Sequence, residues 1–121
     1  MKKKLLNLLA ERKEIYLTEL PELMPEIKGK YSAYMPVKKG VNPNILWLAG
    51  VTQDFIKVFN ELLIEDKSID WKSQDLFFLM LDGKPIYRDI PLAKPKSIKS
   101  KKECWLPVSI MLAEKKMKKI I

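Results

Sequence analysis

Apolar positions along the chain change their period several times, and each change suggests an element boundary. Leu5, Leu6, Leu8 and Leu9 form a stripe among lysines and glutamates, which predicts an amphipathic helix over residues 2–12. Ile15-Tyr16-Leu17 reads as a short extended stretch. Thr18 then has the chemistry of an N-cap, with Glu19 and Glu22 in a first turn that the helix dipole favours. Leu20, Leu23 or Met24, and Ile27 would give that short helix its buried face. Pro25 ends or bends it and Gly29 closes it. Tyr31, Ala33 and Met35 alternate as a short strand would, and Lys39-Gly40 and Asn42-Pro43 are turn chemistry. Asn44 is read as the cap of one helical turn through Ile45-Leu46-Trp47-Leu48, ended by Gly50.

The strongest periodicity runs from about Thr52 to Asp66. Thr52 is its N-cap, and Phe55, Phe59, Leu62 and Leu63 recur at helical spacing, with Gln53, Lys57, Asn60 and Glu61 opposite. After Ile69-Asp70-Trp71 comes the run Leu76 to Tyr87, interrupted by Asp82-Gly83. An Asp-Gly pair between β-prone runs predicts a hairpin, because both residues tolerate positive φ. The rival is a buried helix from Ser73 that uses Gly83 as its C-cap; the hairpin is preferred. A third extended run, Cys104 to Leu112, carries Pro107, which suggests an edge strand. The chain shows no internal repeat and no linker. The expectation is one α+β domain over residues 1–121: N-terminal helices followed by an antiparallel β-hairpin or three-stranded sheet, with a basic tail at 113–121.

Composition narrows the chemistry. The 121 residues are 47% hydrophobic and 31% charged, a globular balance. Histidine is absent, which removes the commonest general base and metal ligand. Cys104 is the single cysteine, so no disulfide framework forms within the chain, and a lone thiol suits a reducing compartment. No apolar stretch approaches the ~20 residues of a membrane span. The N-terminal Lys2-Lys3-Lys4 and leucines briefly imitate a signal peptide, but Glu11-Arg12-Lys13-Glu14 stands where cleavage would fall. Ile69-Asp70-Trp71-Lys72 and Glu26-Ile27-Lys28 each contain an acid-x-Lys fragment of the kind metal nucleases use, without an identifiable second carboxylate. No enzyme is expected, nor any cofactor, metal or membrane partner, and the expected location is cytoplasmic.

Charge points further. Residues 1–92 hold 14 Lys and Arg against 13 Asp and Glu, a balance of +1, while residues 93–121 hold 9 Lys against 2 Glu, a balance of +7. A basic segment on a neutral body is the footprint of a polyanion binder. Lys94, Lys96, Lys99, Lys101 and Lys102 lie in a run without an acid, expected between two strands of a hairpin. Lysine neutralises phosphate as a point charge and carries little sequence information. Lys28, Lys30, Lys38 and Lys39 interleave with Tyr31 and Tyr34, the pattern of a stacking platform for single strands, against the simpler expectation that both tyrosines pack inward. Trp47, Trp71 and Trp105 are read as core or rim aromatics, and Cys104 as a small core residue.

The order of helices, a well-formed last helix and a hairpin with a basic tip resembles a winged-helix domain over residues 3–112. Leu48 to Phe55 running through Leu62 to Trp71 looks like a recognition helix entering a first wing strand. The resemblance implies a wing-like phosphate contact by residues 93–102 and base reading by Gln53, Lys57 and Asn60. Asp54, Glu61, Glu65 and Asp66 on the same helix put the weight on the loop. The expected function is nucleic-acid binding as a small DNA-binding regulator, DNA ahead of RNA, with a homodimer left open. The alternative is a protein-interaction module that docks an acidic partner, with Phe77, Phe78 and Met80 or Trp105 supplying the contact.

Overall fold

The computed structural model describes residues 1–36, 42–94, 97, 99 and 102–113. Its class is mixed α+β. Helix α1 (Lys2–Arg12) leads to strand β1 (Glu14–Tyr16), a 3₁₀ turn (Leu17–Glu19), helix α2 (Leu20–Leu23) and a second 3₁₀ turn (Pro25–Ile27). Strands β2 (Lys28–Tyr34) and β3 (Ile45–Val51) precede helix α3 (Gln53–Asn60), which continues as a π turn (Glu61–Glu65). Strand β4 (Ile69–Ser73), helix α4 (Leu76–Leu81) and strands β5 (Cys104–Trp105) and β6 (Val108–Leu112) complete the order. Two three-stranded sheets result: β1-β6-β4, entirely antiparallel, and β2-β3-β5, in which β3 pairs antiparallel with β2 and parallel with β5.

The helices with the clearest periodicity form where the pattern put them. Leu5 and Leu9 of α1 are buried in one cluster with Phe55, Phe59 and Leu62, and Leu8 packs partly buried against it. The Thr52 hydroxyl accepts the Phe55 N–H at 3.1 Å, which caps α3. Gln53, Lys57 and Asn60 are exposed, as the helix face requires.

Other segments differ from expectation, each for a physical reason. Residues 45–48 are not a helical turn capped by Asn44. They open the central strand β3, where Ile45, Leu46, Trp47 and Leu48 are each at most 2% exposed. A continuous apolar run suits a strand covered on both faces. The turn before it is built by Asn42, whose Oδ1 accepts the Asn44 N–H at 2.8 Å. Gly50 lies inside β3 rather than ending a helix. Gly29 does not close α2 but sits in β2, where a Cβ would fall 2.7 Å from the Val51 carbonyl oxygen. The register slips between Lys28 and Tyr31 at that close approach. Thr18 lies buried in the 3₁₀ turn and does not cap α2.

The hairpin at 76–87 is absent: residues 76–81 are helix α4. Asp75 caps it by accepting the Phe77 N–H at 2.9 Å. Gly83, at φ 67, closes it, with its N–H on the Met80 carbonyl at 3.2 Å and the Lys84 N–H on the Leu79 carbonyl at 2.9 Å. These two bonds make a Schellman motif, so the positive φ that suits a hairpin turn serves a helix end instead. The rival helix is thus the correct type, but it starts at Leu76 and is not buried. Residues 104–112 are two strands broken at Pro107, and β6 is the centre of its sheet rather than an edge. Residues 93–102 do not connect two strands of a hairpin. They run from an extended segment, bridged in parallel at Leu92 and Trp105, into β5. Strands are therefore spread along the chain rather than gathered after a helical half.

Candidate nucleic-acid interface

The β2-β3-β5 sheet has two ends of different character. At one end β3 passes through Val51 into α3. At the other, Tyr34 and Ile45 flank residues 35–44, and residues 102–104 arrive beside them. The Asn42 amide donates to the Lys102 carbonyl at 2.9 Å, and the Tyr34 hydroxyl donates to Glu103 Oε2 at 3.1 Å. The Cys104 N–H reaches the Asn44 carbonyl at 3.1 Å, as the parallel pairing of Ile45 with Cys104 demands. Residues 102–104 are thus tied to Tyr34, Asn42 and Asn44, some 60 positions earlier in sequence, at the Ile45 end. Partial burial, and then the Glu103 contact, raise the Tyr34 phenol above its usual pKa.

Edge strand β2 presents the cations. Lys28, Lys30, Tyr31 and Tyr34 are all exposed, Tyr31 at 49% and Tyr34 at 38%, so the expectation that both tyrosines pack inward is wrong. Ala33, between them, is the residue that turns to the core. Four body lysines are paired with acids: Lys2 with Glu61 and Asp66, Lys4 with Glu26, Lys72 with Glu14 and Lys84 with Glu19. Lys28, Lys30, Lys94 and Lys99 have no ion pair among the described residues. The Lys94 N–H donates to Ser97 Oγ at 2.9 Å. Lys99 and Lys102 are exposed. Lys38, Lys39, Lys96, Lys101 and most of the basic tail (114–121) lie outside the described residues.

Gln53, Lys57 and Asn60 share one exposed face of α3, but Gln53 starts at the Val51 end of β3. A seven-residue strand spans roughly 20 Å, so Gln53 stands well apart from the Ile45 end. Trp71 is a rim aromatic, as expected, and the structure gives it a second feature. It is 39% exposed and lies 4.8 Å from buried Trp47, ring centre to ring centre. It also lines a 340 Å³ cleft between the sheets, together with Met35, Ile45, Ser73, Leu106 and, at its basic side, Lys94. The cleft is not legible in sequence, because its walls come from five separate segments.

Helix α4 offers a contrasting surface. Phe77 (60%), Phe78 (53%), Met80 (59%) and Leu81 (65%) are exposed, and only Leu79 is buried. The helix is held at its C-terminal end, where the Tyr16 hydroxyl donates to Asp82 at 3.1 Å and Lys84 pairs with Glu19 at 2.7 Å. Trp105 is almost fully buried and is not available for a contact.

Among the described residues no group of three or more His, Cys, Asp or Glu could hold a metal ion, and no helix is long and apolar enough to cross a membrane. Comparison with protein-family models, with curated proteins and with solved structures gave no match for this chain.

Proposed function

We propose that the chain binds nucleic acid, holding phosphates with lysines at the Ile45 end of the β2-β3-β5 sheet. The observation that carries this reading is the pair of hydrogen bonds, Asn42 to Lys102 and Tyr34 to Glu103, that joins a described residue of each lysine-rich stretch of the sequence. Cations gathered on one surface with little acid beside them attract a polyanion, and each neutralised phosphate releases counterions. Exposed Tyr34, paired with Leu46, adds an aromatic face to that surface, whereas Lys28, Lys30 and Tyr31 stand toward the Val51 end of the same edge strand. On the winged-helix analogy α3 would read bases in duplex DNA. Asp54 sits beside Gln53 on that helix, so we assign the main contact to the lysine segments and only a secondary one to Gln53, Lys57 and Asn60. A small DNA-binding regulator is the form of this activity we favour.

The test is a salt titration of binding with the unaltered chain and with Lys99→Ala, Lys101→Ala and Lys102→Ala combined. Asn42 holds residue 102 through its carbonyl, so that tie survives the substitutions. The expected result is an almost unchanged melting temperature and affinity weakened about equally for all sequences. The salt slope should fall by roughly one for each phosphate that is no longer neutralised. Unchanged affinity would remove the proposal.

A second reading, a protein-interaction module, is favoured by α4. Four large apolar side chains stand on one short helix, and aromatic anchors of this kind dominate protein interfaces. No binding to DNA or RNA at low salt, together with loss of a protein partner on Phe77→Ser and Phe78→Ser, would move the assignment there.

A further inference from the structure

The cleft beside Trp71 opens between Met35, Ile45 and Lys94, and its chemistry is narrower than that of the basic surface. Met35, Ile45 and Leu106 make it apolar, Trp71 contributes a half-exposed indole, and Lys94 stands at its side without an ion pair among the described residues. Its 340 Å³ falls at the small end of ligand-pocket volumes, room for a flat ring but not for a duplex. Tight contact with Trp47 fixes the indole of Trp71, so a guest ring would meet a preset surface.

We infer that the cleft takes one unpaired base of a single-stranded nucleic acid, stacked against Trp71 with an adjoining phosphate on Lys94. This inference rests on the nucleic-acid reading above and names the form of the ligand. Charge argues for the occupant. Among the described residues the only charged group lining the cleft is a lysine, and the run that begins there, residues 93–102, contains five lysines and no acid. A purely apolar guest would leave that charge unused, whereas a nucleotide satisfies ring and lysine together. A base within a duplex cannot reach such a cleft without leaving the stack, so single strands are preferred. Every base has an aromatic face, so the contact is tolerant of sequence.

The experiment compares three probes at one salt concentration: an oligothymidylate of about ten nucleotides, within the span of a small single-strand groove, an abasic deoxyribose-phosphate oligomer of equal length, and a duplex. The thymidylate should bind roughly tenfold more tightly than the abasic oligomer, the gain expected of one stacked base. Trp71→Ala should erase that advantage while leaving the salt slope as it was, and Trp71→Phe should keep most of it. Equal affinity for thymidylate and abasic oligomers on the unaltered chain would overturn the cleft assignment alone, leaving phosphate binding in place. Tighter binding of the duplex than of the thymidylate would also overturn it. If no probe binds even at low salt, the nucleic-acid reading fails, and this inference fails with it. The probe comparison on the unaltered chain decides the question even if Trp71→Ala does not fold.

Discussion

Two apolar runs of similar composition end in opposite environments. Ile45-Leu46-Trp47-Leu48 reads locally as a helical turn yet forms the middle strand of a sheet, buried on both faces. Leu76-Phe77-Phe78-Leu79-Met80-Leu81 reads as a strand yet forms a helix, with four of its six side chains in solvent. Hydrophobicity drives burial, but it does not choose which apolar run obtains a partner surface. The first run is flanked by β2 on one side and β5 on the other and is covered by Phe59 and Trp71. The second is tethered at its two ends, by Gln74 to Pro107 and Ser109 before it and by Asp82 and Lys84 after it. Its end bonds, not its packing, define it as a helix.

The largest expected effect tests that contrast directly. Trp47→Ala should cost about 3–5 kcal/mol, the usual loss for a large buried aromatic. Phe78→Ala should stay within about 0.5 kcal/mol, as exposed substitutions do. Urea denaturation of the two variants measures the gap, and comparable losses would show that α4 packs more tightly than its exposure indicates.

Next come the glycines beside each run. Gly29→Ala places a Cβ against the Val51 backbone, next to β3, and should cost roughly 1–3 kcal/mol because neither strand can yield easily. Gly83→Ala, with nothing within 4 Å of the new Cβ, should cost only about 1 kcal/mol for the left-handed backbone. Equal losses in thermal melts would dissolve the distinction between a packing glycine and a capping one.

The helix caps sharpen the comparison at a smaller scale. Thr52→Ala should remove about 1 kcal/mol of global stability, since α3 is anchored in the core by Phe55 and Phe59. Asp75→Ala should leave the global melt closer to unchanged and appear instead as faster amide hydrogen exchange over residues 77–81, because a helix with one buried residue frays locally.

A last effect concerns pH and the segment that follows α4. Tyr87 packs edge-on against Trp105, with ring centres 5.0 Å apart, and its hydroxyl accepts the Ala49 N–H at 2.9 Å. Burial raises its pKa, which the backbone bond partly opposes. The unfolded phenol, with a pKa of about 10, therefore ionises first. Stability complete below that pH should decline as pH climbs through it toward the folded pKa. Tyr87→Phe should flatten the alkaline decline while costing about 1 kcal/mol at neutral pH for the missing hydrogen bond. Tyr16 and Tyr34 are raised too, so the slope should shrink rather than vanish. An unchanged alkaline slope would remove Tyr87 as a contributor.

The candidate interface is legible in part. The lysine run at 93–102 stands out from composition alone, and the Lys-Tyr interleaving of 28–39 is visible in the order of residues. Their meeting is not. It depends on parallel pairing of β3 with β5, made by residues almost 60 positions apart, and no local pattern encodes a contact of that range. The orientation of Tyr31 and Tyr34 is equally hidden, because a tyrosine is comfortable half-buried or half-exposed. The Trp71 cleft depends on how the two sheets pack, which five short segments decide jointly.

By itself the sequence determined the elements whose signals are strong and local. These are α1 and α3 with their apolar stripes, the Thr52 cap, the short strand at Ile15 and the excess of charge after residue 92. Local propensity suffices there because spacing, capping and burial agree. Tertiary structure decided the rest: β3 as strand, α4 as helix, β6 as the centre of a sheet and the meeting of Asn42 with Lys102 at one end. An apolar run or an Asp-Gly pair satisfies more than one backbone, and the choice falls to whichever arrangement pairs its peptide groups and covers its side chains against distant parts of the chain.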